Sequence, residues 1–239
     1  MEQMQLGPRA RLRSQPPEGA FSGFGRPGAI EMARGRAPSY DEQRAHILGV
    51  AAALFAQQGF AGTSMNEVGR ASGISKAALY HYFRDKRQIV AEIAQAHVAR
   101  LEALVADVQA RRLAPEAQLR ELILRFVAEY AGAQNAHRVL TEDVRFLDPE
   151  DERRVRAAQR RVVEAFAAAV AAVRPEAREA ALARPLAMLL FGMINWMFTW
   201  LKPEGGPITH AEMAPLVADL FFGGLRGVEF GAAAPGAAG

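Results

Sequence analysis

From Ser39 onward, apolar residues recur three and four positions apart, the period of helices with one buried face. No strand-like alternation persists anywhere. Ser39 and Glu42 stand at the spacing at which a hydroxyl and a carboxylate cap each other's backbone donors. They open a helix of about Tyr40 to Gln58, striped by Ile47, Val50, Ala51, Leu54 and Phe55 and stopped by Gly59. Ser64 and Glu67 repeat the spacing before a short helix, Met65 to Ala71, with Met65, Val68 and Ala71 on one face. Ser72-Gly73 breaks it, because glycine tolerates a positive φ. Ser75 is then the N-cap of Lys76 to Phe83. Asp85 with Gln88 opens a helix of about Lys86 to Arg112, with Ile89, Ile93, Ala96, Leu101, Leu104 and Val108 inward.

The second half reads as helix throughout. Pro115 suits a first helical position and starts a segment to about Ala131. Gly132 to Asn135 is a break, and His137 to Phe146 a short helix. Asp148-Pro149 caps and opens a long helix to Val173, and Pro175 opens another that runs to Trp200, kinked at Pro185. Lys202 to Pro207 is a loop, and Thr209 with Glu212 caps a last helix to about Val228. Residues 1–38 carry many Gly, Pro and Arg without a period and read as a disordered basic arm, with Met32 as an alternative first residue; 231–239 reads as a disordered tail.

Composition narrows the class. The chain has 239 residues, half of them hydrophobic, enough for a sizeable core. It has no Cys, which removes disulfide frameworks and thiolate metal sites and fits a reducing cytoplasm. Ala181 to Leu201 comes nearest to a membrane span, but Arg184, Pro185 and Asn195 interrupt it, and no signal-peptide core opens the chain. A cytoplasmic protein is expected. Net charge is only +3, yet residues 1–40 hold six Arg against three Glu, so the positive charge gathers toward the N-terminus.

Two short helices joined by a tight turn are the helix-turn-helix plan, whose second helix can lie in a DNA major groove. The chemistry fits. Lys76 can donate to a guanine edge or a phosphate, Ala77 and Ala78 let the backbone approach, and an Ala methyl can meet a thymine methyl. Tyr80 and Tyr82 either offer hydroxyls to phosphates or are half-buried packing residues. Thr63 and Ser64 can offer hydroxyls and helix N-terminal amides to a phosphate, and Ser75 lies on an outer face. Lys86 sits in a first helical turn, where a cation is disfavoured by the dipole, so a phosphate partner would explain it. His81 is open between a solvated, a packing and a DNA role.

The run Ala56-Gln-Gln-Gly-Phe60, followed by Thr63, Val68, Ala71, Gly73, Ser75, Leu79-Tyr80, Tyr82-Phe83 and Lys86, closely resembles the N-terminal domain of the TetR/AcrR family of bacterial transcriptional repressors. The resemblance covers about Ser39 to Leu101. It implies an all-α fold of about nine helices. Residues 39–101 would be the three-helix DNA-binding domain, and 102–230 a ligand-binding and dimerisation domain. It also implies base reading by Lys76 to Tyr80 and backbone contact by Thr63, Tyr82 and Lys86. In the family, the last two helices of each subunit form a four-helix dimer seam. Here Leu186, Leu190, Met197, Met213, Leu216, Leu220, Phe221 and Leu225 are the candidates, on helices apolar on more than one face.

Asn195 to Ala214 is similar to the C-terminal region of TetR-like repressors that respond to acyl-CoA thioesters from fatty-acid or aromatic-acid degradation. That implies an apolar tunnel with cations at its mouth for the CoA phosphates. Phe126, Tyr130, Phe146, Phe166, Met193, Trp196 and Trp200 are the tunnel candidates, with ordinary core as the alternative for each. Asn195 could bond a ligand, the partner subunit, its own backbone or water. Arg138, Arg145, Arg153, Arg154, Arg156, Arg160 and Arg161 are the phosphate candidates; a solvated face paired with nearby Asp and Glu is the alternative. A multidrug-type sensor is the rival within the class. An enzyme is a rival outside it, disfavoured because the chain lacks HExxH, GxSxG and Walker-type motifs and its five His have no metal-ligand spacing; a helical adaptor that has lost DNA binding is another, disfavoured because Lys76, Tyr80 and Lys86 are present. The partners expected are a palindromic duplex, a second copy and a small effector; no cofactor and no metal are expected.

Overall fold

A computed structural model describes residues 39–201 and 206–230, with Phe198 described by its backbone alone. The basic arm, the C-terminal tail and most of the 202–207 loop lie outside these residues. Ten α-helices and one 3-10 turn account for the described elements, with no strand among them. No helix among these residues is long and apolar enough to cross a membrane.

The local signals act where the sequence places them. In α1 (Tyr40–Gly62), the Ser39 hydroxyl accepts from the Glu42 amide at 3.2 Å while Glu42 accepts from the Ser39 amide at 2.7 Å. Gly59 adopts φ 72°, so the regular helix ends there and Phe60 to Gly62 form a further turn. α2 (Met65–Ala71) has its own box from Ser64 and Glu67. It ends in a Schellman motif: the Gly73 amide donates to the Arg70 carbonyl (3.2 Å) and the Ile74 amide to the Gly69 carbonyl (3.0 Å), with Gly73 at φ 70°. Ser75 caps α3 (Lys76–Tyr82), and Asp85 caps α4 (Lys86–Ala110). Ile47, Phe55, Val68, Leu79 and Phe83 close the small core of this end of the molecule. α4 then runs on into the larger domain. Its buried face includes His97 in place of the expected Ala96, which is exposed, because the inward stripe turns past Ala96 at this point.

The larger domain comprises the C-terminal part of α4, α5 (Pro115–Gly132), α6 (Gln134–Glu142), the 3-10 turn Val144–Phe146, α7 (Pro149–Val173), α8 (Pro175–Glu179), α9 (Ala183–Trp200) and α10 (His210–Gly227). α7 packs against α4 and α9, and α5 against α10. Phe126 and Phe166 meet edge-on at 4.7 Å in the centre, and Phe191 lies 4.8 Å from Phe166.

Four expectations change. The short helix expected over His137 to Phe146 is α6, Gln134–Glu142, followed by the separate 3-10 turn, and the break before it shrinks to Ala133. Asp148 makes no capping bond to α7; its carboxylate faces Arg84 and Arg87 at 3.5 and 3.6 Å, tying the α3–α4 junction to the start of α7. The segment expected to run unbroken from Pro175 is two helices, divided at Ala181 with φ 57°. The Leu182 amide donates to the Ala177 carbonyl there at 2.8 Å. Pro185 therefore lies in the first turn of α9, where its missing N–H has no helical partner to lose, and it does not kink a helix.

Candidate nucleic-acid interface and effector pocket

The exposed end of the small domain is the face of α3. Leu79 is fully buried and anchors the helix, so Lys76, Ala77, Tyr80 and His81 turn outward, with Ala78 half-buried beside them. Ser75 and Ser64 are exposed, their hydroxyls engaged at the caps of α3 and α2. Gly69 lets α3 sit close: a Cβ there would lie 3.2 Å from the Ile74 carbonyl oxygen. Tyr82 is half-buried and stacks on the ring of Tyr40 at 4.8 Å.

Two expected phosphate contacts are corrected. Thr63 is only 1% exposed and its hydroxyl donates to the Gly59 carbonyl at 3.0 Å, so it presents nothing to a duplex. Lys86 turns inward. Its ammonium donates to the carbonyls of Phe60 and of Thr63, the latter at 2.7 Å, and lies 4.1 Å from the centre of the Phe60 ring. The end of α1 supplies the acceptors that the helix dipole argument had sought in a phosphate. Burial pushes the Lys86 ammonium below its usual range, with Asp143 and Glu67 acting against that.

Phe60 is held from the other domain as well. Its ring stacks on Phe146 at 4.8 Å, and its amide donates to the carboxylate of Asp143, which is buried at the end of α6. Desolvation raises the Asp143 pKa, and the Phe60 amide opposes it. Phe146 thus belongs to the junction between domains and lies away from the interior cavity.

A cavity of about 230 Å³ lies inside the larger domain. Val98 and Leu101 of α4, Tyr130 of α5, His137, Leu140 and Thr141 of α6, Gln159 and Val162 of α7, and Met188, Phe191 and Asn195 of α9 line it. Among the described residues its walls carry no acidic, Lys or Arg side chain. An open groove of about 620 Å³ adjoins it, sharing Leu140, Thr141 and Gln159 and adding Val144, Arg145, Arg156 and one carboxylate, Glu142, which pairs with Arg138.

Of the tunnel candidates, Tyr130 does line the cavity, and so does Asn195. Phe126 and Phe166 are fully buried core beneath it, and Met193 is half-buried against the core. Trp196 and Trp200 are exposed on the outer side of α9, so neither is a wall. Arg145 lies over the Phe146 ring with no carboxylate at ion-pair distance among the described residues. Arg138, Arg154, Arg156 and Arg161 pair with Glu142, Glu150, Glu152 and Glu102. Arg153 and Arg160 are exposed.

The structure adds a pair that the sequence did not bring together. His97 and His137, forty positions apart, approach Nε2 to Nδ1 at 3.3 Å. Arg100 reaches His97 Nδ1 at 3.1 Å, Glu129 holds Arg100 at 2.9 Å, and the Tyr130 ring stacks on His137 at 3.7 Å. Burial pushes His97 down to about 4, helped by Arg100. It pushes His137 down to about 3, helped by His97 and opposed by a hydrogen bond with Asn195. Burial raises the Tyr130 hydroxyl pKa. The cavity wall is thus uncharged, polar on the side of Tyr130, His137 and Asn195 and apolar where Val98, Leu101, Leu140, Val162 and Phe191 form it.

The dimer candidates divide. Leu216 and Leu220 are exposed; Leu186 and Met213 are half-buried; Leu190, Met197, Phe221 and Leu225 are buried in the subunit's own core and offer nothing outside. The exposed apolar row is instead Leu189, Trp196 and Trp200 on α9 with Leu216 and Leu220 on α10. Leu189, Trp196 and Leu220 are 66%, 67% and 69% exposed.

A helix-turn-helix with an outward second helix, joined by a long shared helix to an all-helical domain holding a cavity, defines a recognisable class. The chain belongs to the TetR family. Residues 47–93 match the family described as "Bacterial regulatory proteins, tetR family", and residues 112–225 match "Tetracyclin repressor-like, C-terminal domain". The solved structure of a TetR-family transcriptional regulator from Bordetella parapertussis is 30% identical with a TM-score of 0.74, covering 80% of this chain and 99% of that one. The transcriptional regulator AcrR of Shigella flexneri is 35% identical over 112 residues, 46% of this chain. The matched region spans about half the length of that relative, 52%. AibR, solved in complex with isovaleryl coenzyme A and operator DNA, shares the fold at 24% identity and a TM-score of 0.65, over 75% of this chain and 97% of its own.

Proposed function

We propose that the protein is a transcriptional repressor. In this reading a homodimer grips a palindromic operator through two copies of α3 and is released by a small effector, an acyl-CoA thioester from fatty-acid or aromatic-acid degradation. The observation that carries it is one chain holding both an outward α3 bearing Lys76 and Tyr80 and an uncharged cavity beside a groove with Arg145 and Arg156. On DNA, Lys76, Ala77, Ala78 and Tyr80 face base edges, with Ser64, Ser75 and Tyr82 toward the backbone. The exposed row on α9 and α10 is the surface a second copy would cover.

For the effector, the groove supplies cations for CoA phosphates and the cavity takes the acyl group. At ~30 Å³ per water-sized group, 230 Å³ holds about eight heavy atoms, which suits a short, branched or ring-bearing acyl group. That AibR binds isovaleryl coenzyme A and operator DNA is a precedent for both ligands on this fold. A multidrug-type sensor would use the same apolar walls; Arg145 and Arg156 favour the thioester. Ligand acts only as far as it binds the released conformation more tightly than the operator-bound one.

The test is a gel-shift titration on a duplex from upstream of the protein's own gene, with acetyl-, isovaleryl-, phenylacetyl- and palmitoyl-CoA, free CoA and the free acids added. Release by the compact thioesters and not by free CoA or acids is expected. Lys76→Ala should weaken binding about tenfold. No shift with any duplex overturns the repressor reading; a shift that no thioester reverses overturns the effector.

A further inference from the structure

We propose that Asn195 reads a carbonyl oxygen of the effector, its amide held with the NH2 toward the cavity by a relay through Arg100, His97 and His137. The inference rests on the reading of the cavity as the effector site.

The relay has one consistent direction. A guanidinium only donates, so the 3.1 Å contact from Arg100 makes His97 Nδ1 an acceptor. A neutral His97 then carries its proton on Nε2, which lies 3.3 Å from His137 Nδ1 and donates to it. That leaves the proton of His137 on Nε2. Of the two ends of the Asn195 amide, only the oxygen can accept such a proton, so the NH2 is the end left over. Asn195 is half-buried in the wall of the cavity, and Glu129 fixes the far end of the relay through Arg100. Desolvation keeps both imidazoles neutral, so the donor pattern does not reverse near neutral pH.

A donor aimed into an uncharged and largely apolar chamber selects an acceptor. A thioester, ketone or acid carbonyl satisfies it. A thioether or a hydrocarbon of the same shape leaves the amide desolvated and unpaired. Asn195 would then determine specificity for the head of the acyl group, while the apolar walls set its size.

The probe is a matched pair: isovaleryl-CoA and S-isopentyl-CoA, a thioether with a methylene in place of the carbonyl. Both are titrated against the full-length protein on its operator duplex, in the wild type and in Asn195→Leu. The wild type should be released by the thioester at a concentration at least about tenfold below that for the thioether. Asn195→Leu should erase the difference. Equal potency of the pair on the wild type overturns the carbonyl readout while leaving the acyl-CoA reading in place. A preference that survives in Asn195→Leu overturns Asn195 as the reader. Release by neither probe, nor by any other thioester, overturns the acyl-CoA reading and this inference with it.

Discussion

The buried histidine pair makes a quantitative demand on the protein's acid stability. In the unfolded chain each imidazole takes a proton near 6.5; in the folded protein His97 does so only at about 4 and His137 only at about 3. Between 6.5 and 4 the unfolded state therefore binds two more protons than the native one. Stability falls as pH is lowered through that window, by about tenfold in the folding constant per unit for each histidine. Between pH 7 and 5.5 the pair should cost roughly 2–3 kcal/mol, a sizeable share of the stability of an ordinary domain.

His137→Phe removes one of the two titrations and keeps a ring stacked on Tyr130. It also leaves the His97 Nε2–H without its acceptor, an offset of about 1–3 kcal/mol that is the same at every pH in the window. The informative quantity is thus the slope. Urea unfolding at fixed protein concentration from pH 7 to 5.5 should show His137→Phe losing about 1 kcal/mol less than the wild type. Parallel pH profiles for the two proteins would refute the claim that these histidines are held neutral by burial.

Two further outcomes concern Lys86, whose role changes, and Leu220, which stays on the exposed row. Lys86→Met keeps the aliphatic stem but strips two carbonyls at the end of α1 of their charged donor, and should lower stability by about 2 kcal/mol in urea unfolding; wild-type stability with weakened operator binding would restore Lys86 to the DNA contacts. Leu220→Asp puts a charge in the exposed row of α9 and α10; if that row is the dimer seam, the wild type should sediment as a dimer and the variant as a monomer in analytical ultracentrifugation, and identical sedimentation of the two would refute the assignment.

What the sequence shows clearly is what acts locally. The boxes Ser39–Glu42, Ser64–Glu67 and Thr209–Glu212 form as their spacing demands, because both partners lie within one turn. Gly73 ends α2 for a reason its own backbone carries. The failures are matters of which way a face turns. α9 and α10 are apolar on several sides, so periodicity alone does not say whether Leu190 or Leu189 looks outward; the packing of α9 on α7 and of α10 on α5 decides it. Trp196 and Trp200 look like tunnel walls for the same reason. His97 and His137 are single polar residues on separate helices, and only tertiary contact makes them a pair. Lys86 is misread because the carbonyls of residues 60 and 63 that it caps lie more than twenty positions upstream.

Phe60 has the amide held by Asp143, the carbonyl by Lys86 and the ring by Phe146. A residue fastened at three points to three different elements absorbs little displacement. The joint between the reading end and the sensing end therefore works as a rigid coupling and not as a swivel. Motion of the segment around Asp143 and Phe146 must carry α1 with it or break two of these fastenings, the Asp143 bond and the Phe146 stack. Since Leu140 and Thr141, a few residues earlier on α6, line the cavity, a ligand bound there would press on an element already bolted to the domain that carries α3.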